Sequence, residues 1–223
     1  MSSRYLARLA AVTSALALIA VSAPAVAADF ETRRCTNIGN ALDAPAEGTW
    51  GHAIEQRYFE AIGKTTIDTV RIPVRWDTRS LDAAPYTIDP AFFSRVDEVI
   101  GWAMAEGLIV ILNIHHYDAL YDDPAGQRAK FTALWTQIAE HYKDYPGTLY
   151  FEVLNEPRNE LSGALMQEGL LDGLARIRKT NPERTVIIGG DQWNSLRGLP
   201  SIPATPDDAN IVHTFHYYDP HTF

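Results

Sequence analysis

Short apolar runs recur along the chain, and between them apolar residues return at the three-to-four spacing of a helix face. The runs predict strands over 35–38, 66–74, 108–114, 148–154, 185–188 and 211–217. The run at 108–114, LIVILNI, is apolar almost throughout, as expected of a strand buried on both faces. Helices are predicted over 52–62, 90–106, 127–142 and 161–179. Their inward stripes are Ile54, Tyr58 and Ile62; Phe93, Val96, Ile100 and Met104; and Phe131, Leu134, Trp135 and Ile138. Asp89-Pro90 reads as an N-cap and first turn, Gly63 and Gly107 as stops, and Asn181-Pro182 as the end of the fourth helix.

Strand–helix alternation at this spacing implies a parallel sheet with crossover helices, in an α/β fold. An open doubly wound sheet and a closed (β/α)8 barrel both satisfy it. The segment Asn37-Ile38-Gly39-Asn40 is not a dinucleotide fingerprint, and no cofactor is expected. Polar residues gather where strands end: Asn40 and Asp43, Arg71 within RIPVRW, His115 and His116, Asn155 and Glu156, Asp191 and Trp193, and His216 and Tyr218. In a barrel these positions converge on one rim, where active sites sit.

Each has a plainer reading. Asn155 and Glu156 would serve to cap the next helix, although Pro157 follows directly. Arg71 would pair structurally with Glu152. Asp43, Asp191 and Asp219 suit turns, and His213, alternating with Phe215, suits the core. Trp102 and Trp135 lie on helices and read as core, whereas Trp50, Trp76 and Trp193 lie near rim loops and are candidates to stack on sugars. His115 and His116 are adjacent on a predicted strand, so their side chains would point to opposite faces and not share one ion. No metal site is expected.

Composition narrows the classes. Arg4 and Arg8, an apolar run over 9–21 and Ala25-Val26-Ala27 form a secretory signal pattern over 1–28, with a membrane anchor as the rival reading. Its removal takes two of the 19 basic residues, leaving 17 against 28 acidic ones, a balance of −11. That argues against nucleic acid or an anionic membrane as partner. Cys35 is the only cysteine, so no intramolecular disulfide forms, and bacterial export fits a secreted chain of this kind. Cys35 itself reads as a small buried residue of the first strand. A secreted monomer is expected, with one domain over 29–223.

RIPVRW, ILNIHHYD, FEVLNEP and FHYYDP, in this order, resemble glycoside hydrolase family 5, the cellulase-type branch of the retaining (β/α)8 barrels. GNALDAPAEGTWG is similar to the first-strand segment of its endoglucanases. The resemblance implies the closed barrel and a β-1,4-linked polysaccharide as substrate. It implies Glu156 as acid/base, Asn155 on the sugar 2-hydroxyl, Arg71 supporting the nucleophile, and His115, His216 and Tyr218 in the site. Asn40, Asp43, His116, Trp50 and Trp193 become the expected substrate contacts. Glucan, mannan, xyloglucan and xylan remain open, as does a carbohydrate-binding remnant without catalysis or a metal-dependent hydrolase.

The residue types suit that chemistry. A retaining glycosidase needs two carboxyls about 5–5.5 Å apart, one of them protonated near neutral pH. Glu156, crowded by His and Tyr, is the expected acid. Glu152 is four strand residues away, about 13 Å at ~3.3 Å each, too far to be its partner. The family's nucleophile Glu follows strand seven and a sugar-platform Trp follows strand eight. The pattern here has six βα units, so the domain is expected to be incomplete and this chain alone inactive.

Overall fold

Parallel pairing runs through the sheet in chain order. The computed structural model describes residues 30–219, so the leader expected over 1–28 lies outside the described residues. The strands are β1 (Cys35–Asn37), β2 (Thr69–Ile72), β3 (Ile109–Asn113), β4 (Leu149–Glu152), β5 (Val186–Ile188) and β6 (Ile211–His213), each parallel to the next. The order β1-β2-β3-β4-β5-β6 never reverses. A doubly wound sheet reverses at its switch point, so this is the wall of a (β/α)8 barrel. Among the described residues β1 and β6 each have one strand neighbour.

The period-2 alternation of a strand divides the apolar residues into two cores. Val70, Val110, Leu112, Phe151, Val186 and Ile188 face outward into the main core beneath the helices. Ile109, Ile111, Tyr150 and Ile187 form a second, smaller cluster on the other face, joined by Val212. That inner face also carries Arg71 and Glu152, one residue out of phase with Val70 and Phe151.

Helices α1 (Gln56–Ile62), α2 (Pro90–Ala105), α4 (Pro124–His141) and α5 (Gly163–Arg178) cover the outer face, and the short α3 (Asp118–Asp122) packs on α4 and touches the segments that follow β3 and β4. Asp89 caps α2 by accepting from Ala91 N, with Pro90 in the first turn, as the sequence predicts. Asp123-Pro124 does the same for α4 through Gly126 N, which moves its start three residues ahead of the predicted 127. α1 begins four residues later than predicted. Ile54 N donates to Glu47 and Ile54 O accepts from Arg95, which holds the preceding segment out of the helix. α5 lies close on β4: a Cβ at Gly173 would stand 2.8 Å from Val153 Cγ1 and 3.1 Å from Trp135 Cδ1. Gly173→Ala would push α5 off the sheet and disturb side chains whose burial stabilises by about 1.5–3 kcal/mol each.

Four expectations are corrected. Only Ile211–His213 of the predicted 211–217 strand pairs with β5, and Phe215 and Tyr217 alternate like strand residues while exposed. His213 is exposed, not a core histidine. Cys35 is exposed rather than buried, because it lies on the edge strand and lines the cavity within the sheet. Trp76 belongs to the core, its indole donating to Asn113 O at 2.9 Å, and is not a rim platform.

Candidate active site

A polar cavity of about 750 Å³ opens where the strands end, and Asn40, Asp43, Arg71, His115, His116, Asn155, Glu156, His216 and Tyr218 all line it. Arg71 anchors its floor. Nε donates to Glu152 Oε2 at 2.5 Å and Nη2 to Glu152 Oε1 at 2.6 Å. These side chains are only 13% and 3% exposed. Nη2 also reaches Asn155 Oδ1 at 2.9 Å, and Nη1 reaches Asn37 Oδ1 at 3.2 Å. The ion pair weighed as Arg71's plain reading is therefore present, and the same guanidinium orients Asn155, leaving the Asn155 amide NH2 to donate elsewhere.

Glu156 follows on a left-handed backbone, φ 47, unusual outside glycine and asparagine. Its Oε1 lies 2.6 Å from His216 Nδ1. Burial pushes the Glu156 carboxyl up, but the hydrogen bond and charge of His216, with Arg158 and Arg71 beyond, outweigh it and hold the group below the ordinary glutamate range. The expectation of an acid raised toward neutrality is not met among these residues. The other carboxylates lining the same cavity are engaged: Glu152 by Arg71, and Asp43 by Ala41 N at 2.8 Å.

His115 and His116 lie beyond the last residue of β3, so strand alternation does not separate them. Their rings are 4.7 Å apart, and with Asp43 they offer three ligand atoms within 4.8 Å of one another. This corrects the argument that one ion cannot reach both. The surrounding hydrogen bonds speak against a metal for another reason. Asn113 Oδ1 accepts from Val74 N, so its amide NH2 faces His115 Nδ1 at 3.1 Å and makes that nitrogen an acceptor. The proton of neutral His115 then belongs on Nε2. A metal-binding histidine instead needs an acceptor at its second nitrogen. Burial, then Arg71 and the neighbouring imidazoles, drive the His115 pKa down to about 2. Burial also lowers that of His116.

The rim is aromatic. Trp50 packs edge-on to His116 at 5.7 Å, and Trp193 is 54% exposed beside a second cavity of about 840 Å³ that shares Glu156, His216 and Tyr218. Trp193 sits within a left-handed turn, Gln192–Asn194, with φ of 53, 60 and 53. The turn is tied to Pro157 O through Trp193 N and to His216 N through Asn194 O. Gly189 makes room for it, since a Cβ there would meet the Asn194 amide at 2.3 Å. His216 and Tyr218 have ring centroids 6.2 Å apart. Burial and the Glu156 charge raise the Tyr218 hydroxyl. The polar residues expected at the site, from Asn40 to Tyr218, line one cavity; Trp193 lines its neighbour, Trp50 touches it only through His116, and Trp76 lies in the core. Sequence reasoning missed Asn113, Tyr121 and Arg158; only Asn113, at the end of an apolar run, carried a readable signal.

Residues 30–223 match the family model of Cellulase (glycosyl hydrolase family 5). Endoglucanase H of Acetivibrio thermocellus is 43% identical over 188 residues, 84% of this chain and 21% of that protein. Endoglucanase A of Ruminococcus albus is 32% identical, with 58% of its length matched. A crystal structure of an endoglucanase from Thermotoga maritima superposes with a TM-score of 0.83 at 45% identity, over 84% of this chain and 61% of that one. Further structures of that protein hold cellobiose and mannotriose. The chain thus spans between about a fifth and three fifths of the length of these relatives. With the family model matched across all the described residues, the chain belongs to glycosyl hydrolase family 5.

Proposed function

We propose that this chain supplies the acid/base side of an endo-acting, retaining β-1,4-glycosidase site. Glu156 protonates the leaving glycosidic oxygen and then activates water. Asn155, oriented by Arg71, donates to the sugar 2-hydroxyl. His115 donates from Nε2, and His216 and Tyr218 hold the carboxyl. Asn40, Asp43, His116, Trp50 and Trp193 form the sugar-binding rim. The reading rests above all on the contact of Glu156 with His216 beside the Arg71–Asn155 arm, at the strand ends of the barrel.

The second carboxylate comes from the rest of the barrel, outside β1–β6. A like charge about 5–5.5 Å away raises its neighbour's pKa, the shift Glu156 lacks here. The substrate class is a β-1,4-glucan or a mannan, in keeping with the cellobiose and mannotriose held by the Thermotoga maritima structures. Export follows from the charged and apolar pattern of the first 28 residues, and no helix among the described residues is long and apolar enough to cross a membrane. Reducing-sugar release from soluble β-glucan by the complete protein tests the reading. Glu156→Gln must lower it by about a hundredfold or more, and turnover near the wild-type rate would overturn it.

A further inference from the structure

Tyr121 lies within α3, almost wholly buried, and touches loop 155–161 from both sides. Its hydroxyl donates to Asn155 O at 2.7 Å, with a longer contact to His115 O at 3.1 Å. Its own carbonyl accepts from Glu160 N at 3.0 Å and Leu161 N at 3.2 Å. Between these ends Arg158 folds back over its ring, Cζ 3.9 Å from the centroid. Arg158 Nη1 donates to Glu156 O at 3.2 Å, and its Nη2 lies 3.4 Å from Asp118.

We propose that Tyr121 and Arg158 act as one positioning unit. Tyr121 anchors loop 155–161, and Arg158, stacked on it, holds the Glu156 carbonyl so that the Glu156 side chain meets His216. The inference rests on the reading of Glu156 as the acid/base. A non-glycine residue at φ 47 persists only where its surroundings over-determine it. Asn155 and Glu156 have their carbonyls held by Tyr121 and Arg158, and Pro157 has its carbonyl held by Trp193 N. Packing alone would be served by phenylalanine; the hydroxyl is needed only for the carbonyls it bonds.

The test is a carbon-13 NMR titration of the Glu156 carboxyl in this chain, its signal assigned by loss in Glu156→Gln. Tyr121→Phe and Arg158→Met are expected to move the titration upward toward the ordinary glutamate range, with the His216 ring signal changing in step. Arg158→Lys keeps the charge without the planar fork and is expected to fall in between. A wild-type titration in Tyr121→Phe overturns the anchoring role, and full restoration by Arg158→Lys reduces Arg158 to a point charge. Arg158→Lys leaves the core untouched, so this comparison stands even if Tyr121→Phe unfolds. In the complete protein Tyr121→Phe is expected to lower kcat about ten- to a hundredfold with KM unchanged. The titration reads the position of Glu156 whether or not the protein cleaves glycans. Shifts without any glycosidase activity would therefore sink the proposed function and leave the positioning unit standing.

Discussion

Removing Arg71 separates what the buried pair does for stability from what it does for Asn155. Arg71→Met deletes the charge but keeps most of the volume. It leaves Glu152, 3% exposed, without its bidentate partner in an apolar strand. Breaking a buried pair in this way costs about 3–5 kcal/mol, because the remaining charge is uncompensated. A domain is stable by about 5–15 kcal/mol, so this is a large share of the total. At about 2–4 °C per kcal/mol for a domain this size, the melting temperature should fall by about 6–20 °C.

Removing both charges, in Arg71→Met with Glu152→Leu, eliminates the stranded carboxylate. Most of the lost stability should return, since apolar replacement of a buried ion pair is often neutral. The Asn155 amide would still have lost the guanidinium that orients it. The double variant of the complete protein should therefore melt near the wild type and remain catalytically impaired. Urea denaturation of the four members of the cycle gives the coupling energy, and reducing-sugar release gives the activity. A double variant as unstable as Arg71→Met alone would refute the argument, because the cost would then lie in packing rather than in an unpaired charge.

Three further outcomes are expected. Glu156→Gln in the complete protein should lower kcat by about a hundred- to ten-thousandfold, the range for general acid–base catalysis. His216→Ala should destabilise the chain at neutral pH but not in acid: Glu156 titrates low in the fold, so its stabilisation is present above the unfolded-state pKa of about 4.3 and disappears as pH falls through the folded value. Stability curves of both proteins against pH check this, and a constant offset would count against it. Asn113→Asp should raise zinc affinity about 10–100-fold by giving His115 Nδ1–H an acceptor, whereas the wild type should bind zinc weakly; calorimetric titration decides.

Parallel strands buried on both faces are legible as plain apolar runs, and β2 to β5 all fall within the predicted ranges. The polar residues at the strand ends are legible too, and those expected at the site line one cavity, although Glu152, which closes β4, is held in a buried pair with Arg71. What failed was contact-dependent. Trp76 looked like a rim residue until the carbonyl of Asn113 gave its indole a buried partner. His213 and Phe215 mimicked strand alternation, but β6 has no further strand neighbour among the described residues to bury them. The start of α1 depended on the ion pair of Glu47 with Arg95, 48 positions away. Tyr121 and Arg158 were invisible because their role is made by the path of loop 155–161, not by any local pattern.

The depressed Glu156 carboxyl gives the site its last constraint. Every group facing it from β1–β6 that shifts it downward is a cation or a donor: His216, Arg158 and Arg71. Such surroundings favour the carboxylate, which suits the step that activates water and opposes the step that protonates a leaving group. A retaining glycosidase needs both from one residue. Under the proposed retaining mechanism, a further influence must disfavour charge on Glu156 before the first step and vanish after it. An anionic nucleophile opposite does this: it raises Glu156 by like-charge repulsion while free, and loses its charge when it forms the glycosyl bond. A neutralising substitution of that nucleophile in the complete protein should therefore drop the Glu156 titration to the low value of this chain. An unchanged titration would mean that the acid is tuned by some other group.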